Sequence, residues 1–196
     1  MTAIRGAAAI TGAASGIGRA LAIELAQRRC ELALADRDEA GLNSLAAEIG
    51  AQHKVSVHRV DVGEAADIAL CAREAVAAHP ALNILVNNAG VALMGTFEEI
   101  DQAQMDRLFD SIACSSRTGV GVTDNARRAQ MIDRFEAAAR TTPKEAALRI
   151  IRGIERNEPR ILIGNDARFM DILQRFRPGS YWAPLQRRLE KMAKGT

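Results

Sequence analysis

Short apolar runs alternate with stretches of helical periodicity through the first half of this chain. Residues 7–10, 31–35, 55–60 and 82–86 each read as a strand. Between them, apolar positions recur at helical spacing over 19–26, through Leu42, Leu45, Ala46 and Ile49, and over 64–79. Gly50 stops the second of these helices as a C-terminal cap, and Pro80 closes the third. Strands separated by helices imply a parallel sheet with helices packed on it, an α/β fold.

The remainder reads as mostly helical. An amphipathic helix is expected over 98–109, with Ile100, Met105, Leu108 and Phe109 as its apolar positions, and another over 124–140. Thr142-Pro143-Lys144-Glu145 is a helix start. Thr caps, Pro takes the first helical position and Glu completes a capping box, so a helix should run to about residue 157. Residues 160–164 read as a late strand, 166–176 as a helix, and 181–192 as a basic amphipathic helix that packs Leu185 and Leu189 inward.

Composition narrows the class without changing this picture. A chain of 196 residues with 48% apolar and 26% charged residues can bury one core, and no internal linker divides it, so residues 1–196 are expected to form a single domain. Net charge is only +2 and aromatics make up 4%, which argues against a stacking, basic surface for nucleic acid. Cys30, Cys71 and Cys114 are far apart and form no metal-type cluster with His53, His58 or His79, so no disulfide framework and no metal site is expected. The histidines are expected to be solvated or locally bonded. No apolar run approaches a membrane span and no leader layout stands at the N-terminus, so the expectation is a cytoplasmic protein without membrane contact.

The candidate chemistry lies in Thr11-Gly12-Ala13-Ala14-Ser15-Gly16-Ile17-Gly18, between the first strand and the first helix. Glycines permit a tight turn and close backbone approach, and the helix start presents amide N–H groups and its positive dipole end to an anion. A dinucleotide pyrophosphate is the ligand this context suggests, and a ligand-free connection is the alternative. Asp36 follows the second strand, where a carboxylate can accept hydrogen bonds from a ribose 2′-hydroxyl and repel a 2′-phosphate. That favours NAD over NADP, although Arg37 beside it offers a partner for the phosphate. The plainer alternative for Asp36 is a turn or helix-capping carboxylate.

The Gly-x-x-x-Gly-x-Gly spacing, with Thr11 ahead of it and Ser15 inside it, resembles the short-chain dehydrogenase/reductase family. Leu82-Asn83-Ile84-Leu85-Val86-Asn87-Asn88-Ala89-Gly90 is similar to that family's fourth strand and Asn-Asn-Ala-Gly signature. The resemblance implies a Rossmann-like, doubly wound parallel sheet. It implies that Gly12, Ser15, Gly16, Ile17 and Gly18 meet the phosphates, that Asp61 and Val62 hold the adenine, and that Asn88, Ala89 and Gly90 line the cofactor. Asp61 could equally be a strand-end turn residue, and Asn88 a side chain that pins neighbouring backbone. The implied reaction is hydride transfer between NAD(P) and a small alcohol or ketone.

The resemblance also implies a Tyr-x-x-x-Lys pair, the tyrosine to move a proton and the lysine to lower its pKa. The one tyrosine, Tyr181, has Leu185 four positions on, and the lysines are Lys54, Lys144, Lys191 and Lys194. The pair is therefore absent from these residues. Ser115-Ser116-Arg117-Thr118-Gly119 is faintly similar to the family's serine motif, which would make Ser116 a carbonyl-binding serine; an ordinary polar loop is the alternative.

The expected organisation is a cofactor-binding part over 1–110, a junction over 111–123, and C-terminal helices with a last strand over 124–196. The sheet should be shortened by the loss of the family's fifth and sixth strands. Residues 84–86 would then form an apolar edge, to be covered by the late strand or by a second copy in a homo-oligomer. Two functions compete: a short-chain-type oxidoreductase, and a non-catalytic dinucleotide-binding or interaction protein. A hydrolase built on Ser116 finds no supporting motif.

Overall fold

The computed structural model describes residues 4–90 and 141–176. The chain forms two compact units, residues 1–158 and 159–196. In the first, the elements run β1 (Ala7–Thr11), α1 (Gly16–Gln27), β2 (Glu31–Asp36), α2 (Glu39–Ile49), β3 (Val55–Arg59), α3 (Ala65–Ala78), β4 (Leu82–Val86) and α4 (Pro143–Glu155). The strands make one sheet in the order β3-β2-β1-β4, and every pairing is parallel. This is the α/β, Rossmann-like arrangement expected from the alternating pattern.

The sheet divides its residues between two faces because strand side chains alternate. Ile10 of β1 and Leu32 and Leu34 of β2 are fully buried on one face, together with Leu21 and Leu25 of α1 and Leu42 and Leu45 of α2. Ala147 and Ile151 of α4 belong to the same core, so α4 packs alongside α1. Arg28 reinforces that pairing through Glu24, 2.9 Å away, and Glu155, 3.4 Å away. The opposite face carries Ala7, Ala33 and Ala35, small buried side chains, and α3 packs against β2 and β3. Of α3 itself only Ala75 is buried, and Ile68, Leu70 and Val76 are exposed.

Local chemistry sets the helix ends, at Gly50 and at the Thr142–Glu145 box as expected. Asp38 caps α2 by accepting from the Gly41 amide at 3.0 Å, and Gly50 ends it at φ +88°, a conformation that favours glycine. Thr142 and Glu145 form the reciprocal capping box of α4. The Thr142 amide and hydroxyl bonds hold the Glu145 carboxyl below the usual carboxylate range.

The second unit departs from expectation. Residues 160–163 form no strand; they are irregular and lead into α5 (Gly164–Phe176). A strand is fixed by pairing, and three apolar residues before Gly164, at φ +85°, are too short a run to hold an extended element alone. Asp171 of α5 forms ion pairs with Arg175, 2.9 Å away on the same helix, and with Arg160, 2.5 Å away. Among the described residues β4 therefore has no strand on its outer side, and Leu85 is 69% exposed. The expected helices over 98–109, 124–140 and 181–192 lie outside the described residues.

Candidate dinucleotide-binding site

The turn between β1 and α1 is built so tightly that two of its glycines are sterically required. Gly12 has φ +68°, and a Cβ there would meet the Ala89 backbone at 2.9 Å. A Cβ on Gly18 would collide with the Gly12 carbonyl oxygen and would lie 2.6 Å from Asn88 Nδ2. Gly16, at φ +58°, differs from both, because a Cβ there meets nothing within 4 Å. Its missing side chain leaves open space at the outer side of the helix start.

Helix α1 begins at that open point. Ser15 is its N-cap, in extended conformation, and the Arg19 amide makes the first helical bond to the Ser15 carbonyl at 3.2 Å. The amides of the first turn precede that ladder, and Ser15, Gly16 and Ile17 are exposed. An anion can therefore approach the positive end of α1 without meeting a side chain at Gly16.

Thr11 holds the other side of the turn. Its hydroxyl donates to the Val86 carbonyl at 3.4 Å and accepts from the Asn88 and Ala89 amides, both at 3.1 Å. The Asn88 side chain donates back to the carbonyls of Thr11 at 3.1 Å and Gly12 at 3.2 Å. The glycine turn and the Asn-Asn-Ala-Gly segment are thus one bonded unit, with Ala89 and Gly90 buried in it. The sequence noted Thr11 without a role, since its partners stand 75 or more positions away. We expect Thr11→Val to cost about 2–3 kcal/mol, because it strands two amides that the hydroxyl satisfied. Urea unfolding of the variant against the parent measures this.

Asp36 fastens the end of β2 to the same turn. The carboxylate is 4% exposed; it accepts from the Ala14 amide at 3.0 Å and the Asp38 amide at 3.1 Å. These are the bonds of a turn-organising carboxylate. Arg37 is exposed beside it. Asp61 is exposed at the end of β3, where it accepts from the Gly63 amide at 3.0 Å, and Val62 is half-buried. The expected turn role of Asp61 is therefore present, and the structure places Asp61 and Val62 just past β3, at the same ends of the strands as Asp36 and the glycine turn. Ser116 and Tyr181 lie outside the described residues.

Donor amides at a helix start, an open side at Gly16 and an acceptor carboxylate beyond the next strand suit the phosphates and ribose of a dinucleotide. Residues 6–126 match the family model described as short chain dehydrogenase. The chain belongs to the short-chain dehydrogenase family. It is similar to SadH of Mycobacterium tuberculosis (strain ATCC 25618 / H37Rv), at 42% identity over 107 residues, which cover 53% of this chain and 38% of that protein. It is also similar to D-threitol dehydrogenase of Mycolicibacterium smegmatis, at 37% identity over 102 residues, covering 50% of this chain and 38% of the relative. The chain thus spans about two fifths of the length of these curated relatives.

Solved family structures share the fold. A short-chain dehydrogenase/reductase from Burkholderia phymatum in complex with NAD is similar at TM-score 0.54 and 34% identity, over 57% of this chain and 40% of that one. A metagenomic short-chain oxidoreductase in complex with NADP is similar at TM-score 0.51 and 32% identity, over 56% of this chain and 51% of that one. Neighbours of this short-chain dehydrogenase thus hold nicotinamide dinucleotides of both kinds.

No helix among the described residues is long and apolar enough to cross a membrane, and no group of ligating side chains among them could hold a metal ion.

Proposed function

We propose that this short-chain dehydrogenase chain binds NAD in preference to NADP through its first 110 residues and does not by itself turn over alcohols or ketones. The observation that carries the binding reading is the exposed start of α1 at Ser15, Gly16 and Ile17, beside the open space at Gly16. The amides there would hold the pyrophosphate, and Asp36 would accept from the adenosine ribose. Asp61 and Val62 would flank the adenine, while Asn88, Ala89 and Gly90 would border the nicotinamide side. When bound, the nicotinamide supplies hydride exchange with an alcohol or ketone carbon. A buried carboxylate at Asp36 disfavours a second negative group nearby, which supports NAD; Arg37 is the feature that would soften this preference.

The absence of turnover rests on proton transfer. As the hydride moves, a group of tuned pKa must pass a proton to or from the substrate oxygen. No tyrosine of this chain has a lysine four residues on. Oxidoreductase activity on a small-molecule substrate would belong to a chain that also supplies that pair. The competing reading is a non-catalytic dinucleotide-binding or interaction protein, and the exposed outer edge at β4 favours self-association in either case. Calorimetric titration with NAD, with NADH formation followed on the same sample in the presence of short alcohols, tests the proposal. Binding without NADH formation is expected; alcohol-dependent NADH formation abolished by Asp36→Ala would restore the enzyme reading.

A further inference from the structure

A continuous chain of polar side chains joins β2, β3 and α3, running along β3 from Glu31 and Lys54, at the strand ends away from the glycine turn, to His58, which pairs in register with Ala35 of β2. Ser56 Oγ lies 2.8 Å from His58 Nε2 and 2.9 Å from His79 Nε2. The other nitrogen of each ring meets a carboxylate: His58 Nδ1 is 3.1 Å from Glu74, and His79 Nδ1 is 2.9 Å from Glu31. Glu31 also binds Lys54 at 2.9 Å. Both imidazoles are buried, His79 fully and His58 to 7% exposure.

The protons in this chain can be counted. An ionised carboxylate only accepts hydrogen bonds, so both Nδ1 atoms must carry hydrogen. Glu31 is held ionised, since the Lys54 ammonium and then His79 keep its carboxyl below the usual range. The Ser56 hydroxyl has one proton and can satisfy one Nε2. The remaining Nε2 can bond only by donating into the hydroxyl oxygen, which makes its ring an imidazolium. A second imidazolium is also accommodated, because the hydroxyl oxygen can accept twice. With both rings neutral, one contact must fail.

We propose that His58, Ser56 and His79 form a proton-dependent latch that ties α3 to the sheet and opens as pH rises. The contact that fails is His58 to Glu74. The Glu74 side chain is 53% exposed and can turn into water, whereas His79 is buried and its partner Glu31, 35% exposed, is further held by Lys54. Among the described residues, two further titratable side chains of α3 do not replace that contact. Cys71, one turn before Glu74 on α3, has its thiol pushed up by burial and then by Glu74, and so stays neutral. Asp67, earlier on α3, is engaged with the Asp61 amide at 3.1 Å.

The consequence falls on α3, which buries only Ala75 and so depends on polar ties more than its neighbours do. Amide hydrogen exchange on the full chain tests the latch, corrected for the intrinsic pH dependence of exchange and read in α3 around Glu74 to His79. Protection should fall about tenfold between about pH 5.5 and about pH 8. In His58→Phe one ring remains, the Ser56 proton suffices for it, and this pH dependence should disappear. Ser56→Ala, which removes the shared hydroxyl, should abolish it as well and serves if the first variant fails to fold. Nitrogen NMR of the labelled histidines in the parent should show a doubly protonated ring among His58 and His79 at the lower pH. Protection in the parent that is flat with pH, or a pH dependence retained in a folded variant, would overturn the latch.

Discussion

Gly18→Ala is expected to lower stability by about 3 kcal/mol and to weaken NAD binding at least about tenfold. This sign opposes helix propensity, since alanine ordinarily stabilises a helix by about 1 kcal/mol relative to glycine. At position 18 the new methyl group would collide with the Gly12 carbonyl oxygen and press on Asn88 Nδ2. Gly12 cannot yield, since its own Cα side is closed by the Ala89 backbone. Helix α1 must therefore move away from the turn, and overpacking of this kind outweighs the propensity gain. Gly16→Ala provides the contrast. No atom obstructs a methyl there, so the cost is the left-handed backbone alone, about 1–2 kcal/mol. Chemical denaturation and calorimetric titration of the two variants separate steric closure of the turn from loss of the anion site.

Asp36→Ala is expected to cost about 3 kcal/mol and to remove the preference for NAD over NADP. Two charge-assisted bonds disappear, and the Ala14 amide loses its carboxylate acceptor inside the turn. The carboxylate is buried, so solvent does little to compensate. Its removal also takes away the charge that opposes a 2′-phosphate and leaves Arg37 beside the site. The expected pattern is a large fall in NAD affinity with a smaller fall for NADP. Equal falls for both dinucleotides would show that Asp36 acts only by organising the turn.

The first four strands and three helices were legible because each couples a short apolar run to a recognisable stop or start. Gly50, Pro80 and the Thr142–Glu145 box act within a few residues of where they stand, so local chemistry fixes those boundaries. Residues 160–164 misled for the converse reason. A strand exists only with a partner, and three apolar residues carry no information about whether one is present. The candidate site shows in the sequence as glycines and single acidic or amide residues, and not as the bonded unit they make. Thr11 reaches Val86, Asn88 and Ala89, and Asp36 reaches Ala14, across separations that only the parallel sheet order brings together. His58 and His79 were expected to be solvated or locally bonded. Burial decides against solvation, and their shared Ser56 becomes visible only when the end of α3 returns beside β3.

The central claim is that this short-chain dehydrogenase chain retains a dinucleotide site without the means to use it. The most direct test is NAD titration of the 196-residue chain by calorimetry, with the same sample then assayed for NADH formation from a panel of small alcohols. The account predicts saturable NAD binding that Gly18→Ala abolishes or greatly weakens, with no alcohol-dependent NADH. Absence of any NAD binding, or NADH formation lost on Asp36→Ala, would contradict it.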